Sequence, residues 1–131
     1  MAGDARALAL ADLDRDGWPD FLVSRNDGPA TAFCNQGVAG RHSFAVRLAG
    51  QPGNPTAIGA RIQVSFADGT RQTVEIFGGS GYFSQSAPDG FFGYAEGNPP
   101  VQIEVRWPTG AVSRSGAKPG EPLVLITQPA S

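Results

Sequence analysis

Between Asp12 and Asp20 the chain reads Asp12-Leu13-Asp14-Arg15-Asp16-Gly17-Trp18-Pro19-Asp20, a carboxylate at every second position and one more after a Gly-Trp-Pro turn. Carboxylates this close repel one another by roughly 1 kcal/mol per pair in water and by several times that in less polar surroundings. A bound dication removes that penalty; the alternative is an Asp-rich solvated turn of the kind common in surface loops. Alternate spacing with a glycine at the sixth place turns Asp12, Asp14 and Asp16 toward one centre, and a hard dication such as Ca²⁺ takes about six to eight oxygens. Gly17 supplies the bend. Pro19 biases Trp18 to extended backbone, which aims the Trp18 carbonyl inward, and Asp20 closes the ring. The predicted metal set is Asp12, Asp14, Asp16, Asp20 and the carbonyl of Trp18, with calcium as the cofactor. An EF-hand is ruled out, because its twelfth position is a glutamate between helices. Here that position is Val23, and its surroundings read as strand.

The flanks explain that reading. Leu8 and Leu10 alternate with small residues before the loop, and Phe21 and Val23 share a face after it. Asn26-Asp27-Gly28-Pro29 marks a turn, and a third short strand runs toward Gln36-Gly37. Gly37 to Arg41 reads as a linker. Beyond it Phe44, Val46 and Leu48 alternate, as do Ile62, Val64 and Phe66, and then Val101, Ile103, Val105 and Trp107. Eighteen glycines and eleven prolines in 131 residues, with a single lysine, agree with short strands and many turns. The fold class expected is all-β: about nine strands in all, forming a two-layer β-sandwich with an N-terminal strand-calcium loop-strand unit shaped like one propeller blade. The division expected is residues 1–40 and 41–131, together one structural unit.

Two hairpins can be registered from sequence. A two-residue turn at Asp68-Gly69 would set Ile62 opposite Glu75, mixing apolar and polar side chains on one face. A three-residue loop, Ala67-Asp68-Gly69, with Gly69 left-handed in a bulge, sets Phe66 opposite Thr70 and Ile62 opposite Val74. Pro108-Thr109-Gly110 closes a second hairpin with Glu104 facing Arg114. Leu123 to Ile126 is apolar at every position, the pattern of a strand covered on both sides.

Composition excludes several functions. Six of eight aspartates lie in the first 27 residues, the net charge is -2, and no basic stripe forms, so neither nucleic-acid binding nor attachment to an anionic membrane is expected. No run approaches the roughly eighteen apolar residues of a helical membrane span, and the first residues, lacking a basic segment followed by an apolar one, are not expected to be a signal peptide. Cys34, the one cysteine, has no partner for an internal disulfide and reads as a small core residue. Enzymatic activity is not expected. His42, the one histidine, adjoins Ser43 at a strand start, where neighbouring side chains diverge. Asp68 and Asp89 read as turn residues, and Glu75 and Glu104 as outward strand positions, so no carboxylate pair frames a cleft. Metal-assisted hydrolysis at the Asp12 loop lacks a general base. A Gly-Gly-Ser-Gly corner beside Tyr82, Phe83, Phe91, Phe92 and Tyr94 offers aromatic faces instead. Tyr82, Phe83 and Tyr94 are the candidate contacts for a glycan or protein ligand, with core packing as the alternative.

Residues 9 to 23, Ala-Leu-Ala-Asp-Leu-Asp-Arg-Asp-Gly-Trp-Pro-Asp-Phe-Leu-Val, resemble one FG-GAP repeat of the VCBS type, spanning about residues 6–36. In that family the aspartates matching Asp12, Asp14, Asp16 and Asp20 bind calcium, and several repeats build a propeller. From about residue 41 to 128 four ordered blocks resemble the ASPIC/UnbV domain: Phe44 to Leu48, Gly53-Asn54-Pro55 with Ala57 to Arg61, Gly79 to Ser86, and Ile103 to Gly110. Where that family carries His-Phe-Gly-Leu-Gly, this chain has Phe91-Phe92-Gly93-Tyr94-Ala95. The resemblance implies the tail of a secreted-type protein, extracellular or periplasmic: one last blade, then the terminal domain. It supplies no catalytic residues. The function expected is a non-enzymatic, calcium-binding recognition, adhesion or scaffold module. A lone blade also leaves open sheet edges, so a homo-oligomer or the remainder of a propeller is the expected partner.

Overall fold

The computed structural model describes residues 4–79 and 85–130. Among them there are ten strands and no helix, arranged as three sheets. The first sheet is β1 (Ala5–Ala11), β2 (Asp20–Arg25) and β3 (Gly28–Phe33), an antiparallel meander. The second sets β4 (Arg41–Ala49) between β7 (Asp89–Ala95), antiparallel, and β10 (Leu123–Thr127), parallel. The third runs in the order β6 (Arg71–Glu75), β5 (Arg61–Phe66), β8 (Pro100–Arg106) and β9 (Val112–Gly116). The second and third sheets share one apolar core, so the all-β, sandwich-like architecture stands as expected.

Alternation builds that core. Phe44, Val46 and Leu48 from β4 meet Ile62, Val64 and Phe66 from β5, Phe92 and Tyr94 from β7, and Ile103 and Val105 from β8. Trp107 lies fully buried just beyond β8 and donates its indole N–H to Ser113 Oγ at 2.8 Å, which settles the one polar atom of the largest buried side chain. Both hairpins follow the expected register. Ile62 faces Val74; the Phe66 N–H donates to the Thr70 carbonyl, the Gly69 N–H returns to the Phe66 carbonyl, and Gly69 sits at φ 86°. Glu104 faces Arg114, with an ion pair at 2.7 Å.

Between β4 and β5 the chain is held by Asn54. Its Nδ2 donates to the Ile58 carbonyl at 2.9 Å and its Oδ1 accepts from the Ile58 N–H at 3.0 Å, a clasp that fixes the turn before Ala60. Gly50 is pressed into this turn so closely that a Cβ there would lie 2.1 Å from the Asn54 carbonyl oxygen.

Three expectations are corrected. The Leu123 to Ile126 strand is not covered on both sides: β10 is an edge strand pairing only with β4, and Leu125 is 63% exposed. Apolar composition alone cannot separate a central strand from an edge strand that keeps one face toward the core. Cys34 is exposed rather than in the core, because it follows β3 on the open edge of the small sheet. Asp89 is no turn residue; it opens β7 with its side chain buried.

Candidate metal centre and its surroundings

The acidic loop is the connection between β1 and β2, whose last registered pair is Ala11 with Asp20. Its carboxylates first organise the backbone. Asp12 accepts from the N–H of Asp16 at 3.1 Å through Oδ1 and from that of Gly17 at 2.9 Å through Oδ2. Asp14 accepts from Asp16 N–H at 3.3 Å, and Asp16 from Trp18 N–H at 2.8 Å. These bonds wind the chain so tightly that Arg15, not a glycine, adopts φ 64°. Asp20 is fully buried, taking the Leu13 N–H on one oxygen at 2.8 Å and the Asn35 N–H on the other at 2.7 Å. It ties the loop to the end of the third strand.

Asp12, Asp14 and Asp16 each offer a carboxylate oxygen within 4.8 Å of the others. Oxygens around one calcium, each about 2.4 Å from it, are at most about 4.8 Å apart, so the spread fits that ion. A second grouping at the same limit joins Asp14, Asp20 and the Cys34 sulfur, which makes Asp14 common to both. Asp20 is grouped with Asp14 but not with Asp12 and Asp16. Each of its oxygens has a lone pair beyond its backbone bond. Asp12, Asp14 and Asp16 are hard oxygen donors of the kind Ca²⁺ takes, whereas the Cys34 sulfur of the second grouping is a soft donor. Trp18 contributes its N–H to Asp16, and its ring packs on Gly37, where a Cβ would lie 3.0 Å from the indole.

Electrostatics records the crowding. The Asp14 carboxyl is held above the ordinary carboxylate range, by loss of solvation first and then by the charges of Asp16 and Asp20. Cys34 is pushed up likewise, by loss of solvation and then by Asp20, Asp14 and Asp16, which disfavours its thiolate.

The loop leans on the sandwich. At Gly17, φ 89°, a Cβ would fall 2.7 Å from the Ser43 carbonyl oxygen and 2.9 Å from that of Pro122. Only glycine permits this backbone-to-backbone approach. Further along, Leu10 exchanges bonds with the segment before β7: its N–H donates to Ser86 Oγ at 3.1 Å and its carbonyl accepts from Ala87 N–H at 2.8 Å. Between loop and β7 lies a cleft of about 280 Å³, bounded by Trp18, Pro19, Asn35, Ser43 and Phe91 to Gly93.

The aromatic set is divided. Tyr94 is a core residue, which removes it from an exposed platform: it stacks on His42 at 5.3 Å between ring centres, packs near Phe44 and Phe66, and accepts from Gly120 N–H through its hydroxyl. The β7 register places it on the sheet's inner face, where the neighbouring layer covers it. Phe92 is core as well, while Phe91 stays half-buried at the cleft. Tyr82 and Phe83 lie outside the described residues.

One functional-looking pair was not foreseen. Arg47 grips Asp89 with two parallel bonds of 2.8 Å, Nε to Oδ1 and Nη2 to Oδ2, directly across the β4–β7 ladder. The Asp89 side chain is 1% exposed and that of Arg47 49%. Arg47 is held above its usual range by Asp89 foremost, and to a lesser degree by the charge of Asp12 in the acidic loop.

Taken together, the fold is a β-sandwich module with an acidic loop packed against one sheet. The family description "ASPIC and UnbV" matches residues 50–131, more than half of the chain, and the chain belongs to that family. No curated protein matches it.

Proposed function

We propose that this is a calcium-binding recognition or scaffold module without enzymatic activity, in which the ion rigidifies the β1–β2 loop against the sandwich. The observation that carries it is the convergence of Asp12, Asp14 and Asp16 within 4.8 Å on a loop docked through Gly17. Asp20 and the Trp18 carbonyl complete the ligand set. Residues 6–36 then form an FG-GAP repeat of the VCBS type. Asp14 and Asp16 are exposed, and a site open to solvent is compatible with the calcium affinities of extracellular modules, about 10⁻⁴ to 10⁻³ M, in keeping with an extracellular or periplasmic setting. Against catalysis stands the pairing of His42, the one histidine, with Tyr94 across the β4–β7 ladder, where it stacks on that ring rather than facing a nucleophile.

Terbium tests the ion site. Tb³⁺ titrated into the chain and excited through Trp18 gives saturable emission at one ion per chain, displaced by Ca²⁺. The D14N/D16N variant binds at least about tenfold more weakly while keeping its β-type circular dichroism. Emission indifferent to calcium would overturn the assignment.

A second reading, carbohydrate binding, draws support from the cleft between Trp18 and Phe91, whose aromatic walls adjoin the acidic loop. Self-association belongs to the same proposal. Phe21 and Phe33 share one face of the small sheet and are each more than two-fifths exposed, and Leu22 is similarly exposed on the other. Sedimentation equilibrium at high concentration is expected to give a mass above that of one chain, and F21S/F33S to return it to the monomer. A wild-type monomer throughout would sink this part.

A further inference from the structure

The outer face of the four-stranded sheet holds a surplus of cations far from the acidic loop in sequence. The register sets Glu75, Arg61, Arg106 and Val112 side by side across the sheet, and in the next row Thr73, Gln63, Glu104 and Arg114. Arg61 and Arg106 are direct cross-strand neighbours, an arrangement that costs free energy between like charges. The nearby acids do not relieve it. Glu104 gives Oε2 to Arg114, and among the described residues the ion pairs are Arg47–Asp89 and Arg114–Glu104, so Glu75 leaves Arg61 unengaged. Two open guanidinium forks thus overlook a cleft of about 150 Å³ walled by Arg61, Gln63, Glu104 and Arg106.

The chemistry of those walls is specific. A guanidinium fork matches a carboxylate with two parallel bonds. Gln63 donates Nε2 to Thr73 Oγ1 at 3.4 Å, which turns its Oε1 into a ready acceptor, and Glu104 keeps one oxygen beyond Arg114. Acceptors beside an anion site call for hydroxyl donors on the same ligand. Across the two rows three arginines and two glutamates leave one net positive charge, enough for one carboxylate and too little for a polyanion. The volume falls below the roughly 300 Å³ of pockets that enclose a whole drug-sized ligand, and suits one ring. No aromatic side chain lines the cleft, so binding there is polar.

We propose that Arg61, Arg106, Gln63 and Glu104 form a subsite for one sugar-acid unit, its carboxylate on the two arginines and its hydroxyls on Gln63 and Glu104. The site is independent of the calcium loop and of the aromatic cleft beside it.

Nuclear magnetic resonance on the isotopically labelled full chain tests this with methyl glucuronide, methyl glucoside and acetate as probes. Glucuronide is expected to shift the resonances of Arg61, Gln63, Glu104 and Arg106 saturably. Methyl glucoside, lacking the carboxylate, and acetate, lacking the hydroxyls, each bind at least about tenfold more weakly, a gap of about 1.4 kcal/mol. R61Q/R106Q loses the response while the rest of the spectrum stays dispersed as in the wild type. Three results would overturn the proposal: shifts confined to other surfaces, equal responses to glucuronide and acetate, or an undiminished response in the double variant. Should that variant unfold, R106Q alone serves, with the same tenfold loss expected.

Discussion

In EDTA the protein is expected to melt roughly 10 °C below its melting temperature in a large excess of calcium. The size follows from linkage: a ligand held by the folded state alone, at about a hundred times its dissociation constant, adds about 2.7 kcal/mol. For a chain of this length each kcal/mol moves the midpoint by roughly 3 to 5 °C. Asp12, Asp14 and Asp16 supply the physical cause, since without the ion their charges face one another across less than 5 Å. The pH dependence has a definite sign. Asp14 is held above its unfolded value, so protonating it favours the folded chain, and its penalty is in full force above that raised pKa. In EDTA the deficit should therefore shrink as the pH falls through the region just above the ordinary carboxylate range. Scanning calorimetry at several pH values, with calcium and with EDTA, measures both effects. Equal midpoints with and without calcium would mean that the ion does not hold the fold together.

The elements most legible in the sequence were those whose constraint is local. The acidic loop, its glycine and the strands on either side depend on residues within a few positions of one another. The Gly69 and Gly110 hairpins depend on turn chemistry plus alternation, and so their registers could be worked out residue by residue. What failed depended on which strand ends up beside which. Asp89 reads as a turn residue until β7 is laid against β4, when Arg47 arrives opposite it. Tyr94 reads as an aromatic platform until the second layer covers it. Cys34 and the β10 strand fail for the mirror-image reason: their composition suits burial, but the topology puts them at edges. The Arg61–Arg106 neighbourhood was invisible on the same grounds, because those residues are far apart in the chain and meet only through the β5–β8 pairing.

Replacing Arg47 by alanine should destabilise the protein by about 2 to 4 kcal/mol, because it strands a carboxylate that is almost wholly buried. Arg47 itself is half in water, so the expected loss sits toward the lower part of the range for breaking a buried pair. Arg47→Lys keeps the charge but not the two parallel bonds and should fall between wild type and alanine. R47L/D89L, which removes both charges together, should return to within about 1 kcal/mol of wild type, because no unpaired charge is then left in the interior. Urea unfolding monitored by the Trp107 environment ranks the four proteins. A second measurement separates this pair's structural role from its influence on the loop. Arg47 lies close enough to Asp12 to feel its charge, and a cation there opposes a dication bound nearby. Removing it should lower stability while tightening calcium binding a few-fold at low ionic strength, with the gain fading in salt. A variant that lost stability and calcium affinity in parallel would show instead that Arg47 positions the loop, and the opposition between the two charges would have to be abandoned.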